Sequence, residues 1–274
     1  MGVYMFKVLK IVVGQKIMML SNILIMILCF SMVIKLSAAD TKLPASTVLL
    51  VHFDEGKGEE VKDSSNYKLE GILNEADDTN WVEGKVGGAL WLNGVDNYVR
   101  FENDYCLDIE KQLRIEFYMK AEGEQVQRRI LCKSNNSTDG YQIKYNSLKI
   151  QFLVYHTDGS NTRLDSIDRV MPGTWTHVKC TYDNETGKLK IYIDGKESGE
   201  TTVDSSKSSP NDRLIAISGA DLYLGFVPRN PESYYRGVID ELLISNSLED
   251  KKPEPKKKTK KKTTKKKTKK KKTE

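Results

Sequence analysis

Through the middle of the chain, apolar and polar residues alternate with a period of two. In TWTHVKCTYDNETGKLKIYIDGKESGE, Thr174 to Glu200, the residues Val178, Cys180 and Tyr182 alternate with His177, Lys179 and Thr181, and Leu189, Ile191 and Ile193 repeat the pattern one loop later. A strand with one buried face has this period, because successive side chains point to opposite sides of the sheet. Asp194 and Gly195 tolerate the positive φ of a two-residue type I′ turn, so IYIDGKES predicts a hairpin, with Asn184 to Gly187 as the loop before it. The segment reads as an antiparallel meander.

The same alternation recurs on both sides. In LRIEFYMK, Leu113, Ile115, Phe117 and Met119 alternate with Arg114, Glu116, Tyr118 and Lys120, and LKIQFLVYH does the same through Leu148, Ile150, Phe152 and Val154. VLLVHFD, Val48 to Asp54, predicts the first strand; two strands fit around the NGVD turn in ALWLNGVDNYVRF; LYLGF and YYRGVIDELLIS supply the last. Short strands at regular intervals, separated by Gly, Asn and Asp turns and without an amphipathic helix of useful length, predict an all-β, two-sheet antiparallel sandwich. Ser205 to Arg213, SSKSSPNDR, is a flexible loop by composition.

WTHVKCTYDNETGKLKIYIDGKESG is similar to the WxHVAxxYDxxxGxxxxYVDG segment of laminin-G-like jelly rolls in the concanavalin A-like lectin and glucanase superfamily. DEGKGEEVKDSSNYKLEGIL with WVEGKVGGALWLNGVDNYVRF resembles the opening of such domains, and LYLGF with YRGVIDELLISNSL their closing strands. The resemblance covers Val48 to about Leu248 in the family's order and implies a jelly roll. It leaves function open, because the fold carries lectins, adhesion modules, accessory domains and a minority of hydrolases.

Charge divides the chain further. The net charge of +5 conceals 15 Lys against two Glu in Lys251 to Glu274 and four Lys with no acid in Met1 to Ala39, so the body between carries −12. Residues 1–39 read as a signal peptide or an uncleaved membrane anchor: Lys7, Lys10 and Lys16 precede an apolar run, Ile17 to Ile34, and Ser37 and Ala39 form a small-residue site before Asp40. Residues 40–47 form a linker, 48–249 the jelly roll, and 250–274 a tail that cannot bury anything and is expected to be disordered. The expected location is secreted or extracytoplasmic, or anchored by the leader. Without the leader's Cys29 three cysteines remain, Cys106, Cys132 and Cys180. No spacing among them suggests zinc, and Cys132 and Cys180 fit buried thiols or a mutual disulfide.

A hydrolase of this superfamily would align carboxylates on one strand face as ExDxxE. In CLDIEKQLRIE, Asp108 and Glu110 have that spacing but Cys106 stands where the leading carboxylate belongs, so the acid and nucleophile pair is not assembled and no catalytic residues are expected. A calcium site is the metal expectation. Alternation places Asp240 on one face with Val238, Leu242 and Ile244, and the resemblance brings the first and last strands together, so that the loop carrying Asp63, Ser64 and Asn66 approaches Asp240, with Asp63, Asn66 and Asp240 as the expected oxygen ligands for Ca²⁺. The alternative is that Asp240 caps loop amides.

For a sugar platform the candidates are the aromatic residues Trp81, Tyr155, Tyr234 and Tyr235, whereas Trp91 and Trp175 are assigned to the core. In the tail, Lys256, Lys257, Lys258, Lys260, Lys261, Lys262, Lys265, Lys266, Lys267, Lys269, Lys270, Lys271 and Lys272 form a polyanion-binding stretch. With no aromatic among them they cannot read bases, so no sequence-specific nucleic-acid partner follows. The expected function is a non-catalytic extracellular module that binds a glycan or a cell-surface or matrix protein, with anionic polymers or membranes as partners of the tail. The alternative is a structural or adhesive protein held by its tail.

Overall fold

The computed structural model describes residues 43–249 apart from 136, 137, 205, 207, 208 and 231. Among these residues the chain forms strands and three short 3₁₀ turns, and no α-helix. In chain order the strands are β1 (Thr47–Val51), β2 (Glu60–Lys62), β3 (Glu70–Asn74), β4 (Trp81–Glu83), β5 (Gly88–Asn93), β6 (Tyr98–Phe101), β7 (Gln112–Ala121) and β8 (Arg128–Lys133). They continue as β9 (Tyr141–Asn146), β10 (Lys149–Tyr155), β11 (Asn161–Asp165), β12 (Thr176–Asp183), β13 (Lys188–Ile193), β14 (Lys196–Thr202), β15 (Leu222–Leu224) and β16 (Arg236–Ser245).

Two antiparallel sheets of eight strands result. One runs β14-β13-β12-β7-β16-β5-β4 with β1 also paired to β16, and the other runs β11-β10-β9-β8-β15-β6-β3-β2. The chain is a two-sheet jelly-roll sandwich. Between the sheets lie the alternating residues of the sequence pattern: Leu113, Ile115, Phe117 and Met119 of β7, Val178, Cys180 and Tyr182 of β12, and Ile150, Phe152 and Val154 of β10 are fully buried. Asp194 and Gly195 both have positive φ, 50° and 77°, between the paired residues Ile193 and Lys196, as a type I′ hairpin requires.

The structure departs from the alternation pattern in several places. Leu148 sits with Ser147 in the β9–β10 turn at φ 68° and 50° rather than in the strand, because a two-residue turn of that hand needs positive φ at both centres. Pro210–Arg213, expected as flexible loop, forms a 3₁₀ turn, because Ser209 and Asp212 close a capping box around it. All three described cysteines are buried free thiols.

The largest departure is in β16. A bulge lies between Asp240 and Leu243, with Glu241 at φ 51°. One extra residue reverses the facing of all that follows. Ile239, Leu242 and Ile244 therefore join the core while Val238 lies on the other side of the sheet, correcting the single face expected for Val238, Asp240, Leu242 and Ile244.

Lys133 ties the loops at one end of the second sheet. It is fully buried, and its Nζ donates to Asn103 Oδ1 at 2.8 Å, Asp108 Oδ1 at 2.9 Å, Ala220 O at 2.8 Å and Ser218 O. Four oxygens from two loops, β6–β7 and β14–β15, thus close around one ammonium group.

Candidate functional site

On the first sheet, residues that alternate with the core set face outward, and across four strands they come into line. Val238 of β16 pairs with Trp91 of β5 on one side and with Lys120 of β7 on the other. Thr176 of β12 pairs with Met119, which puts Trp175, one residue before the strand, beside Lys120. Trp91, Val238, Lys120 and Trp175 therefore form one row perpendicular to the strands. Neighbouring strands lie about 4.8 Å apart, so three steps separate the two tryptophan backbones by roughly 14 Å.

These residues, with Thr79, Val82, Glu83, Gly84 and Glu122, line an open groove of about 730 Å³. Val238, 4 % exposed, is its floor, and both tryptophans are half-buried. Each indole is fixed in orientation. Trp91 Nε1 donates to Glu122 Oε1 at 2.7 Å, and the other carboxylate oxygen accepts from Arg236 Nε at 2.8 Å. Lys120 Nζ lies 5.0 Å from the centre of the Trp175 ring, a cation–π contact. Lys120 thus sits against an aromatic face and Glu122 against an arginine.

Beyond Trp175 the same face continues with Tyr118 against His177, ring centres 4.9 Å apart, and with Glu116 near His177 at 3.4 Å and Lys179 at 3.8 Å. Burial raises the Glu116 pKa, but the His177 hydrogen bond and the Lys179 and Arg114 charges outweigh it and hold the carboxyl below its usual range.

The aromatic residues singled out from the sequence are placed differently. Tyr155 is 4 % exposed and Tyr235 is fully buried, so neither presents a free ring face. Tyr235 follows Phe226 and Val227 inward as the loop re-enters the sheet, where its backbone N–H donates to Gly225 O. Trp81 packs against the core and donates through Nε1 to Gly58 O at 3.0 Å. Tyr234 is half-buried in a stack: its ring lies 4.3 Å from Phe226, which lies 4.9 Å from Tyr98, so it anchors the loop after β15. Conversely Trp91 and Trp175, assigned to the core, line the groove. Alternation carries the signal for both: Trp91 lies between core residues Leu90 and Leu92, and Trp175 lies an odd number of positions before core residue Val178.

Of the three expected calcium ligands, Asp63 and Asp240 are held by separate sets of contacts. Asp63 Oδ1 accepts from Leu50 N at 3.0 Å and Ser65 N at 2.7 Å, and Oδ2 from Ser65 Oγ at 2.6 Å and Leu69 N at 3.0 Å. Asn66 is exposed. Asp240, fully buried, accepts through Oδ2 from Lys85 N at 2.8 Å and Val86 N at 2.9 Å, while Oδ1 has no hydrogen-bond partner. Burial raises its pKa, and the Val86 and Lys85 amides act against that rise. Among the described residues no group of three or more His, Cys, Asp and Glu side chains is arranged to hold a metal ion. Asp108, the candidate carboxylate of the hydrolase pattern, is bound to Lys133. The tail lysines and the leader lie outside the described residues.

Several solved structures share this fold. The binding domain of Paraclostridial Mosquitocidal Protein 1 is similar at 13 % identity and a TM-score of 0.59, over 75 % of this chain and 50 % of that one. The botulinum neurotoxin serotype D/C binding domain is similar at 17 % identity and a TM-score of 0.56, over 76 % and 50 %. Domain 4 of AbnA, a GH43 extracellular arabinanase from Geobacillus stearothermophilus, solved in complex with arabinotriose, is similar at 21 % identity and a TM-score of 0.53, over 73 % and 92 %. The chain spans about half the length of the toxin binding domains. No curated protein matches it. The family model Laminin_G_3, of the Concanavalin A-like lectin/glucanases superfamily, matches residues 93–249, more than half of the chain, and the chain belongs to that family.

Proposed function

We propose that this chain is a non-catalytic binding module that recognises a glycan in the tryptophan groove. The observation that carries the reading is the pair of half-buried indoles, Trp91 and Trp175, each held in orientation by a charged neighbour and both lining one open groove. Indole faces bury the apolar face of a sugar, and fixed rings lose little freedom when a ligand docks. The family supports a binding role, as do neighbours described as binding domains and one solved with arabinotriose. On the same reading the chain works outside the cytoplasm, and the lysine-rich tail adds a separate, salt-sensitive attraction to anionic polymers or membranes.

A glycan array with wild type, Trp91→Ala and Trp175→Ala tests it, with each protein assayed with and without Lys251 to Glu274. Binding that depends on sugar identity and is lost in both tryptophan variants is expected. Binding that ignores sugar identity and disappears with the tail would replace this reading with that of an adhesive protein.

A further inference from the structure

We propose that the groove takes an uncharged, linear oligosaccharide laid across the strands and long enough to touch both indoles at once. The inference rests on the glycan reading above and deepens it. Its first support is the register. Trp91, Val238, Lys120 and Trp175 lie on successive strands in one row, so the two rings stand at opposite ends of a line perpendicular to the strand direction. Side chains that stand roughly perpendicular to the sheet keep the backbone spacing of roughly 14 Å, which a single sugar ring cannot bridge. A chain of several sugars can.

The second support is what lies between the rings. Val238 is apolar and 4 % exposed, a floor for the middle of the ligand, and Lys120 beside it sets its ammonium group over the Trp175 ring. Thr79 and Glu83, both exposed, stand at the groove's edge as partners for hydroxyl groups.

Charge is the third support. The lining holds one cation, Lys120, set over the Trp175 ring, against two carboxylates, Glu83 and Glu122, so the groove's own charge disfavours a carboxylate or sulfate on the ligand. Around it the body carries −12, which repels anions approaching within a Debye length, about 8 Å at physiological salt. An uncharged chain meets neither penalty.

The test is calorimetric titration of the full chain at physiological salt with ladders of one to six linked glucose, xylose, galactose or arabinose units, and with a ladder of linked uronic acids. In the series that binds, affinity is expected to rise about tenfold between the single sugar and the shortest member that reaches both rings, one more aromatic contact being worth about that factor, and then to level off. Trp91→Ala and Trp175→Ala should each remove the step, and Trp91→Tyr and Trp175→Tyr should retain much of it, which separates lost contact from lost folding. Tryptophan-dependent binding of single sugars as tight as that of the longest member would overturn the cross-strand placement and leave the glycan reading standing. Tighter tryptophan-dependent binding of the uronic acids would overturn the uncharged ligand. Absence of tryptophan-dependent binding to every ladder and to the array, or capture of a protein through the same rings, would overturn this inference and the glycan reading together.

Discussion

Lys133 shows how much can rest on one side chain. A lysine with no exposed surface is tolerated because four oxygens surround its ammonium group, and removing that group leaves the Asp108 carboxylate without its counter-charge and three neutral oxygens without a donor. Lys133→Met is therefore expected to cost about 3–5 kcal/mol in urea unfolding, and added salt should recover little of it. The tryptophans behave in the opposite way. Because Trp91 and Trp175 are half-exposed, truncating either to Ala should cost only about 1 kcal/mol of stability while removing ligand binding, a division that melting curves and titrations on the same samples would show. Asp240 carries a sign. Its folded pKa is raised, so the native state takes up the proton before the unfolded chain does, and the wild type should gain stability relative to Asp240→Asn as pH falls through the acid range. Urea midpoints of both proteins from neutral pH downward measure this. If Asp240 instead ligates Ca²⁺, the ion will raise the wild-type melting temperature and the Asn variant will not respond.

At the level of elements, β16 organises the first sheet. It pairs with β7 along one edge and with β5 and then β1 along the other, so its bulge falls where one partner strand gives way to the next. Two glycines separate local from tertiary demands. At Gly195 an added Cβ meets nothing within 4 Å, so Gly195→Ala carries only the cost of φ 77° in the hairpin, about 1 kcal/mol. At Gly237, φ 146°, the same atom would lie 2.6 Å from Lys120 O and 2.9 Å from Ala121 Cα, which are backbone atoms of β7. Gly237→Ala should cost several-fold more in stability than Gly195→Ala and should also weaken ligand binding, because pushing β16 from β7 breaks the row between Val238 and Lys120. Comparing the two variants by calorimetry and titration checks both effects.

Over the whole molecule the charge is separated rather than balanced. An acidic body of −12 precedes 24 residues that hold 15 Lys, and the tail has no apolar side chain beyond prolines to add to a core. Deleting Lys251 to Glu274 should leave the melting temperature nearly unchanged and abolish retention on heparin, with the wild type eluting progressively earlier as salt rises. Retention that is equal at low and high salt would exclude a screened-charge mechanism for the tail.

Alternation and turn chemistry were readable from the sequence because both are local. The buried faces of β7, β10 and β12 and the Asp194–Gly195 turn depend on residues within a few positions of one another, and the three matching stretches extended them to a jelly roll. The same local rule holds the signal that Trp91 and Trp175 face outward, since each lies out of phase with its core neighbours, but their size and apolar character assigned them to the core. What the rule could not supply was company. That Trp91, Lys120, Val238 and Trp175 share a row depends on the order of β5, β16, β7 and β12 in the sheet and on their register, and the bulge that places Val238 on the outer face depends on two strands meeting end to end against β16. Sequence period determines which face a side chain takes; only the pairing of distant strands decides what stands beside it.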